Sequence, residues 1–131
     1  MKQASLFLKA ILSHNVQIGR KCGSRIFPIA VPAGVKEFPF VTFEHSSTPG
    51  DRTKDGEERK IDAVISSVSR TALEAEELSD SIIPAMRSFY GTIQNTFDDV
   101  FTCPEFDKED EMYVPEVDAY VVRLNLNFET K

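Results

Sequence analysis

The side chains best suited to chemistry in this chain are two histidines, His14 and His45, two cysteines, Cys22 and Cys103, and the carboxylates Asp98, Asp99, Glu105, Asp107, Glu109, Asp110 and Glu111. A metal centre gathers His, Cys and carboxylate donors at ligand spacing. Neither histidine has a cysteine or a paired carboxylate at such a spacing. Cys103 with a histidine would form a nucleophilic pair only if an Asn or Asp oriented the imidazole. No such residue is suitably placed, and Pro104 follows directly, so Cys103 reads as a small buried or half-buried thiol. The acidic run would supply an acid and base pair or a hard-cation site, but it lacks the glycine-containing twelve-residue loop of a calcium site and reads as hydrated surface. The patterns G-x-x-x-x-G-K-[ST], G-x-G-x-x-G and G-x-S-x-G do not occur, so a phosphate cradle or a nucleophile elbow has no residues to build it. The expectation is a protein that is not an enzyme, with no cofactor and no metal.

Size and charge narrow the classes further. At 131 residues and 41% hydrophobic, the chain suits one domain, 1–131, around a single core. Fifteen Lys and Arg against twenty-one Asp and Glu leave a net charge of −6, which argues against broad phosphate-backbone binding, because that relies on clustered Lys and Arg, and no specific nucleic-acid binding is expected. Two cysteines without a C-x-x-C spacing suit reduced thiols in a cytosolic protein. The opening MKQASLFLKAIL is broken by Lys9 and lacks a small-residue cleavage site, so it does not read as a signal peptide. No stretch approaches the roughly 18 apolar residues that read as a bilayer span, so no membrane partner is expected.

The elements that must position these side chains can be traced by period. Residues 3–17 fit a helix with Ala4, Phe7, Leu8, Ile11 and Leu12 on one stripe, stopping near Asn15 or Gly19 with Arg20 and Lys21 just beyond. Pro28, Pro32 and Pro39 then leave room only for a short edge strand or connector around Arg25 to Ile29. Residues 40–46 alternate, with Val41 and Phe43 on the apolar side, and residues 58–66 alternate with Ile61, Ala63 and Ile65 together. These two strands should pair antiparallel. About eleven residues, TPGDRTKDGEE, separate them, where most hairpins use two to five. Such a loop is either a tolerated surface excursion, since doubling a loop costs only about 0.6 kcal/mol, or an arm that orders on a partner.

Thr71 and Glu74 form a T-x-x-E capping box that starts a second helix. Its stripe is Ala75, Leu78, Ile82, Ala85, Met86 and Phe89; Pro84 falls on the polar side, where a kink or a fresh turn is expected, and Gly91 should end it. Two strands follow, a weakly patterned one within 92–103 and a clear one over 119–128, with the acidic segment 105–111 as a solvated loop between them. The fold class is therefore α+β: a mixed, mostly antiparallel sheet packed against an N-terminal helix and a central amphipathic helix.

Taken in order, the leading helix, GSRIFPIAVPAGVKEFPFVTFE, ERKIDAVISSVSRTALEAEELSDSI and the closing AYVVRLNLNFE resemble the tail-completion proteins, or tail terminators, of long-tailed bacteriophages and prophages. The match covers nearly the whole chain, through an I-[FY]-P-x-x-[VL]-P-x-G turn, a Pro-aromatic-Val strand entry and a strand leading to a helix with an E-A-E-E-like start. The resemblance implies a structural virion protein that assembles as a homo-hexameric ring in the bacterial host cytoplasm. There it caps the tail tube and joins the tail to the head, with the tail-tube protein and the head-tail connector as partners. On that reading the hairpin loop carrying Asp51, Arg52, Lys54, Asp55, Glu57 and Glu58 reaches a neighbouring subunit, the tube or the connector. Subunit contacts are then expected from the short proline-flanked strand or from the face with Val41 and Phe43. Pro84 and the acidic stretch 105–111 depart from many relatives. Two alternatives stand beside this reading: a small α+β module holding a peptide or apolar ligand between sheet and second helix, and a hydrolase using the acidic cluster.

Overall fold

The computed structural model describes residues 2–14, 16–23, 25–28, 37–49, 59–97 and 100–130, leaving aside the side chains at 2, 16, 17, 21, 49 and 89. Its elements run α1 (Lys2–His14), α2 (Val16–Cys22), β1 (Ile26–Pro28), β2 (Phe40–Pro49), β3 (Arg59–Ser69), α3 (Ala72–Gln94), β4 (Glu105–Val114) and β5 (Ala119–Thr130). The strands make one five-stranded sheet in the order β1-β2-β3-β5-β4. β1 runs parallel to β2 and every other pairing is antiparallel, so the α+β class with a mixed, mostly antiparallel sheet holds.

Side-chain alternation explains which face of the sheet is covered. Val41 and Phe43 on β2, Ile61, Ala63 and Ile65 on β3, and Val122, Leu124, Leu126 and Phe128 on β5 all point to one face and are buried. Their opposite numbers match by register, Phe43 to Ile65 to Leu124 among them. α1 covers the β1 and β2 half of that face and α3 the β3 and β5 half, with the two helices in contact. Ala4, Phe7, Leu8, Ile11 and Leu12 from α1 and Leu78, Ile82 and Met86 from α3 fill the seam with no exposed surface. Each large apolar side chain so buried contributes about 1.5–3 kcal/mol.

Phe7 is the centre of this packing. Its ring stacks on Phe101 at a centroid distance of 4.6 Å and meets Phe128 at 5.6 Å, Phe97 at 5.7 Å and Tyr90 at 6.2 Å. The Tyr90 hydroxyl donates to the Phe101 carbonyl, tying α3 to the segment that leads into β4.

Four expectations are corrected. Of the two expected stops, α1 ends at His14, beside Asn15, but Gly19 is no stop: α2 runs through it, with Arg20 and Lys21 inside, to Gly23, whose φ of +59° is the left-handed turn that glycine makes at low cost. The Gly23 N–H donates to the Gly19 carbonyl at 2.8 Å, and Asn15 lies outside the described residues. α3 likewise passes Gly91 and ends at Gln94, because the buried Ile93 holds one more turn against the core. It passes Pro84 as one element, with that proline exposed. The third correction is that the described residues of 92–103 form no strand; they hold the last turn of α3 and a bridge from Phe101 to Thr130, and Asp98 and Asp99 lie outside the described residues.

The fourth is the acidic segment 105–111, which is most of strand β4 rather than a loop. Its backbone pairs with β5 while its charges stand in water at the rim of the sheet, a placement that satisfies the ladder without burying a carboxylate. An apolar alternation was absent because neither side of an edge strand needs to be dry.

Candidate interaction surface

The anticipated contact residues divide into two groups. Val41 is 0% and Phe43 2% exposed, both beneath α1, so the apolar face of β2 is consumed by the subunit's own core and offers nothing to a neighbour. That part of the expectation is corrected: an alternating strand presents its apolar side to the nearest helix, and α1 supplies it. Asp51, Arg52, Lys54, Asp55, Glu57 and Glu58 lie outside the described residues. Their stem is described. The β2 and β3 ladder continues to the pair Pro49 and Arg59, three residues further along β2 than the alternation implied, and the Arg59 N–H donates to Thr130 Oγ1 at 3.0 Å.

Among the described residues no helix lies on the sheet's other face. Across β2, β3 and β5 it presents the rows Thr42, Ser66 and Arg123; Glu44, Val64 and Asn125; and Ser46, Asp62 and Asn127. A shallow depression of about 460 Å³ lies on it, with Glu44, Asp62, Asp107, Asn125 and Asn127 in its lining. Toward β1 this face turns aromatic. Phe40 meets Phe27 at 6.3 Å and Phe38 at 5.3 Å between centroids, and the Arg70 guanidinium sits 4.4 Å from the Phe38 ring centre.

At the opposite rim, β4 meets the start of α3. Tyr113 and Tyr120 pack at 5.0 Å, the Tyr113 hydroxyl donates to Asp118 Oδ1 at 2.6 Å, and the exposed Met112 lines another depression with Ala72 of α3. Further along, Ser79 Oγ donates to Glu109 Oε1 at 3.4 Å. Glu76, Asp80, Glu109 and Glu111 crowd there. A hydrogen bond with Glu76, some loss of water and the neighbouring carboxylates hold the Glu111 carboxyl above its usual range. Asp110 is balanced by Lys108 at 3.5 Å and Arg123 at 3.6 Å.

The chemical candidates do not converge. Among the described residues no three His, Cys, Asp or Glu side chains are grouped to hold a metal ion. His45 is half-buried, sharing a hydrogen bond with Ser5, and His14 is exposed on α1. Cys103 is an exposed residue, not the buried or half-buried one expected, because its segment joins the sheet only at the rim. Desolvation nevertheless pushes its thiol up, which keeps it protonated and a weak nucleophile. The middle of the space between α3 and the sheet is filled by Leu78, Ile82, Met86, Ile65 and Leu124, while at the start of α3 the depression beside Met112, of about 250 Å³, lies between Ala72 and the β4 and β5 residues Met112, Tyr113, Tyr120 and Val121. No helix among the described residues is long and apolar enough to cross a membrane.

Sequence reasoning missed the open edge at β4 and the tyrosine pair beside it. Phe106, Met112 and Val114 were the available signal for a strand there, but the charges between them hid it.

No protein-family model matches the sequence, and no curated protein matches it. Among solved structures the chain is similar to one described as the virion of a native gene transfer agent (GTA) particle, at a TM-score of 0.74 and 15% identity over 94% of this chain and 90% of that one. At that identity the likeness establishes the fold.

Proposed function

We propose that this chain is a structural virion protein of the tail-terminator kind, a ring of six copies that closes the tail tube and presents a surface to the head-tail connector. The observation that carries the reading is the end-to-end fold likeness to a chain of a gene transfer agent virion. The ordered motifs of the sequence, which resemble tail-completion proteins, supply the finer role. Such a protein works at the virion tail after assembly in the host cytoplasm, and its work is binding.

In this role the loop with Asp51, Arg52, Lys54, Asp55, Glu57 and Glu58 is the arm that touches a neighbour, the tube or the connector. The described stem supports it: ten register pairs tie β2 to β3, and β5 braces β3, so the arm springs from the most extensively paired part of the sheet. The net charge of −6 suits a bore through which DNA slides, since acidic walls repel phosphates.

Light scattering on purified protein, alone and with assembled tail tubes, tests the proposal. A hexamer, or a monomer that converts to rings on tubes, is the expected result. A stable monomer indifferent to tubes would remove the terminator role.

A further inference from the structure

Charge is segregated along this molecule. Residues 1–36 hold six bases and no acid, a net of +6, whereas residues 71–131 hold fourteen acids and four bases, a net of −10. The fold turns this sequence asymmetry into a spatial one. α1 rests on β1 and β2 and α2 packs against α1 and β2, both also touching α3, so the exposed Lys9 and Arg20 lie over the β1 and β2 half of the sheet. β4 forms the other edge, and it carries Glu105, Asp107, Glu109, Asp110 and Glu111 against the single base Lys108. Five strands at about 4.8 Å spacing set the two edges roughly 19 Å apart, about two screening lengths at 0.1 M salt.

We infer that copies of this chain join head to tail, the acidic β4 edge of one copy against the basic α1 and α2 end of the next. The inference rests on the ring reading above and assigns its contact surfaces. Among the described residues β4 has an unpaired edge, which invites a partner, while its carboxylates choose which partner is admitted. Two β4 edges meeting symmetrically would set five carboxylates against five, and the repulsion disfavours a two-fold dimer. A basic surface is the complement. Contact between unlike surfaces is not self-closing in pairs; it propagates from copy to copy until rotation closes a ring. The exposed Met112 and Tyr113 on β4 supply apolar area at the same edge.

Charge reversal tests this. Lys9→Glu with Arg20→Glu inverts one surface, and Glu109→Lys with Glu111→Lys inverts the other; all four sites are exposed, and circular dichroism verifies the fold. Mass is read by light scattering, alone and on tail tubes, at low and high salt. Each paired variant is expected to remain monomeric where the wild type assembles, and the chain with all four changes is expected to reassemble with itself. High salt should weaken wild-type association by about tenfold or more. Assembly of either paired variant at wild-type strength would overturn the edge assignment and leave the ring standing. A wild type that stays monomeric alone and on tubes would end both.

Discussion

Ser5 Oγ on α1 lies 2.8 Å from His45 Nε2 on β2, a hydrogen bond that joins the first helix to the first long strand across forty residues. The other ring nitrogen, Nδ1, is buried without a partner. Burial lowers the pKa of His45 below its ordinary 6.5, because the charged imidazole would lose water that nothing replaces. Below pH 6.5 the unfolded chain then takes up a proton that the folded chain resists. The contribution of His45 to stability is present above 6.5 and is lost as pH falls toward the folded value. Urea midpoints for wild type and His45→Gln between pH 8 and 5 should converge on a common slope at the alkaline end and diverge below 6.5, where only the wild type weakens. Parallel curves would show that the ring is solvated in both states.

Phe43→Asp should unfold the subunit before it tests any interface. Phe43 is 2% exposed beneath α1, and a carboxylate placed there has no partner, which costs several kcal/mol, of the order of 4 or more. Loss of near-ultraviolet dichroism and of cooperative melting is the predicted outcome. A folded variant would mean that α1 can lift from β2.

How much of this was legible before the structure turns on which residues face the core. Ile61, Ala63 and Ile65, and Val122 to Phe128, alternate because one side of each strand must be dry, and that period placed β3 and β5 and the face they cover. The start of α3 was legible because Thr71 Oγ1 meets a specific donor, the Glu74 N–H at 3.2 Å. β4 was not, since the charges between Phe106, Met112 and Val114 mask the apolar mark of a strand that backbone pairing with β5 holds at the rim. Helix ends failed for a related reason. Gly19 and Gly91 are compatible with helix, and the burial of Ile18, Cys22 and Ile93, a tertiary effect, decided that it should continue. At the candidate surface, Val41 and Phe43 showed as apolar, but period alone does not say whether a helix of the same chain or a second subunit covers them.

The Thr71 cap has a measurable worth. Thr71→Ala leaves the Glu74 amide without its side-chain acceptor and should destabilise the protein by about 1 kcal/mol. Thr71→Asp, which restores an acceptor, should recover most of that in the same denaturation series. If alanine and aspartate variants are indistinguishable, the cap contributes nothing.

Two serines on the covered face of β3 are anomalies in an otherwise apolar layer. Ser67 and Ser69 are fully buried, and neither hydroxyl has a hydrogen-bond partner. Ser67→Ala removes an unpaired polar atom from a dry site, so it should leave stability unchanged or raise it by about 1 kcal/mol. A loss of that size instead would reveal a partner for the Ser67 hydroxyl that forms in solution.

The carboxylates between α3 and β4 carry the last prediction. Glu111 binds a proton more tightly in the folded protein than its ordinary value of 4.5 allows, first through its hydrogen bond with Glu76 and then through the charges of Glu76, Glu109 and Asp80. With the folded pKa raised, the favourable contribution is full below 4.5 and is lost as pH climbs through the folded value, leaving repulsion at neutral pH. Glu111→Gln keeps a donor for the Glu76 carboxylate and carries no charge. It should therefore be more stable than the wild type at pH 7, with the gap closing as the buffer is taken below pH 4.5 and narrowing in high salt at neutral pH. Chemical denaturation at both ends of that range reads the difference directly. Equal stability at pH 7 would show that solvent already screens these carboxylates, and the rim would then carry its charge at no cost to the fold.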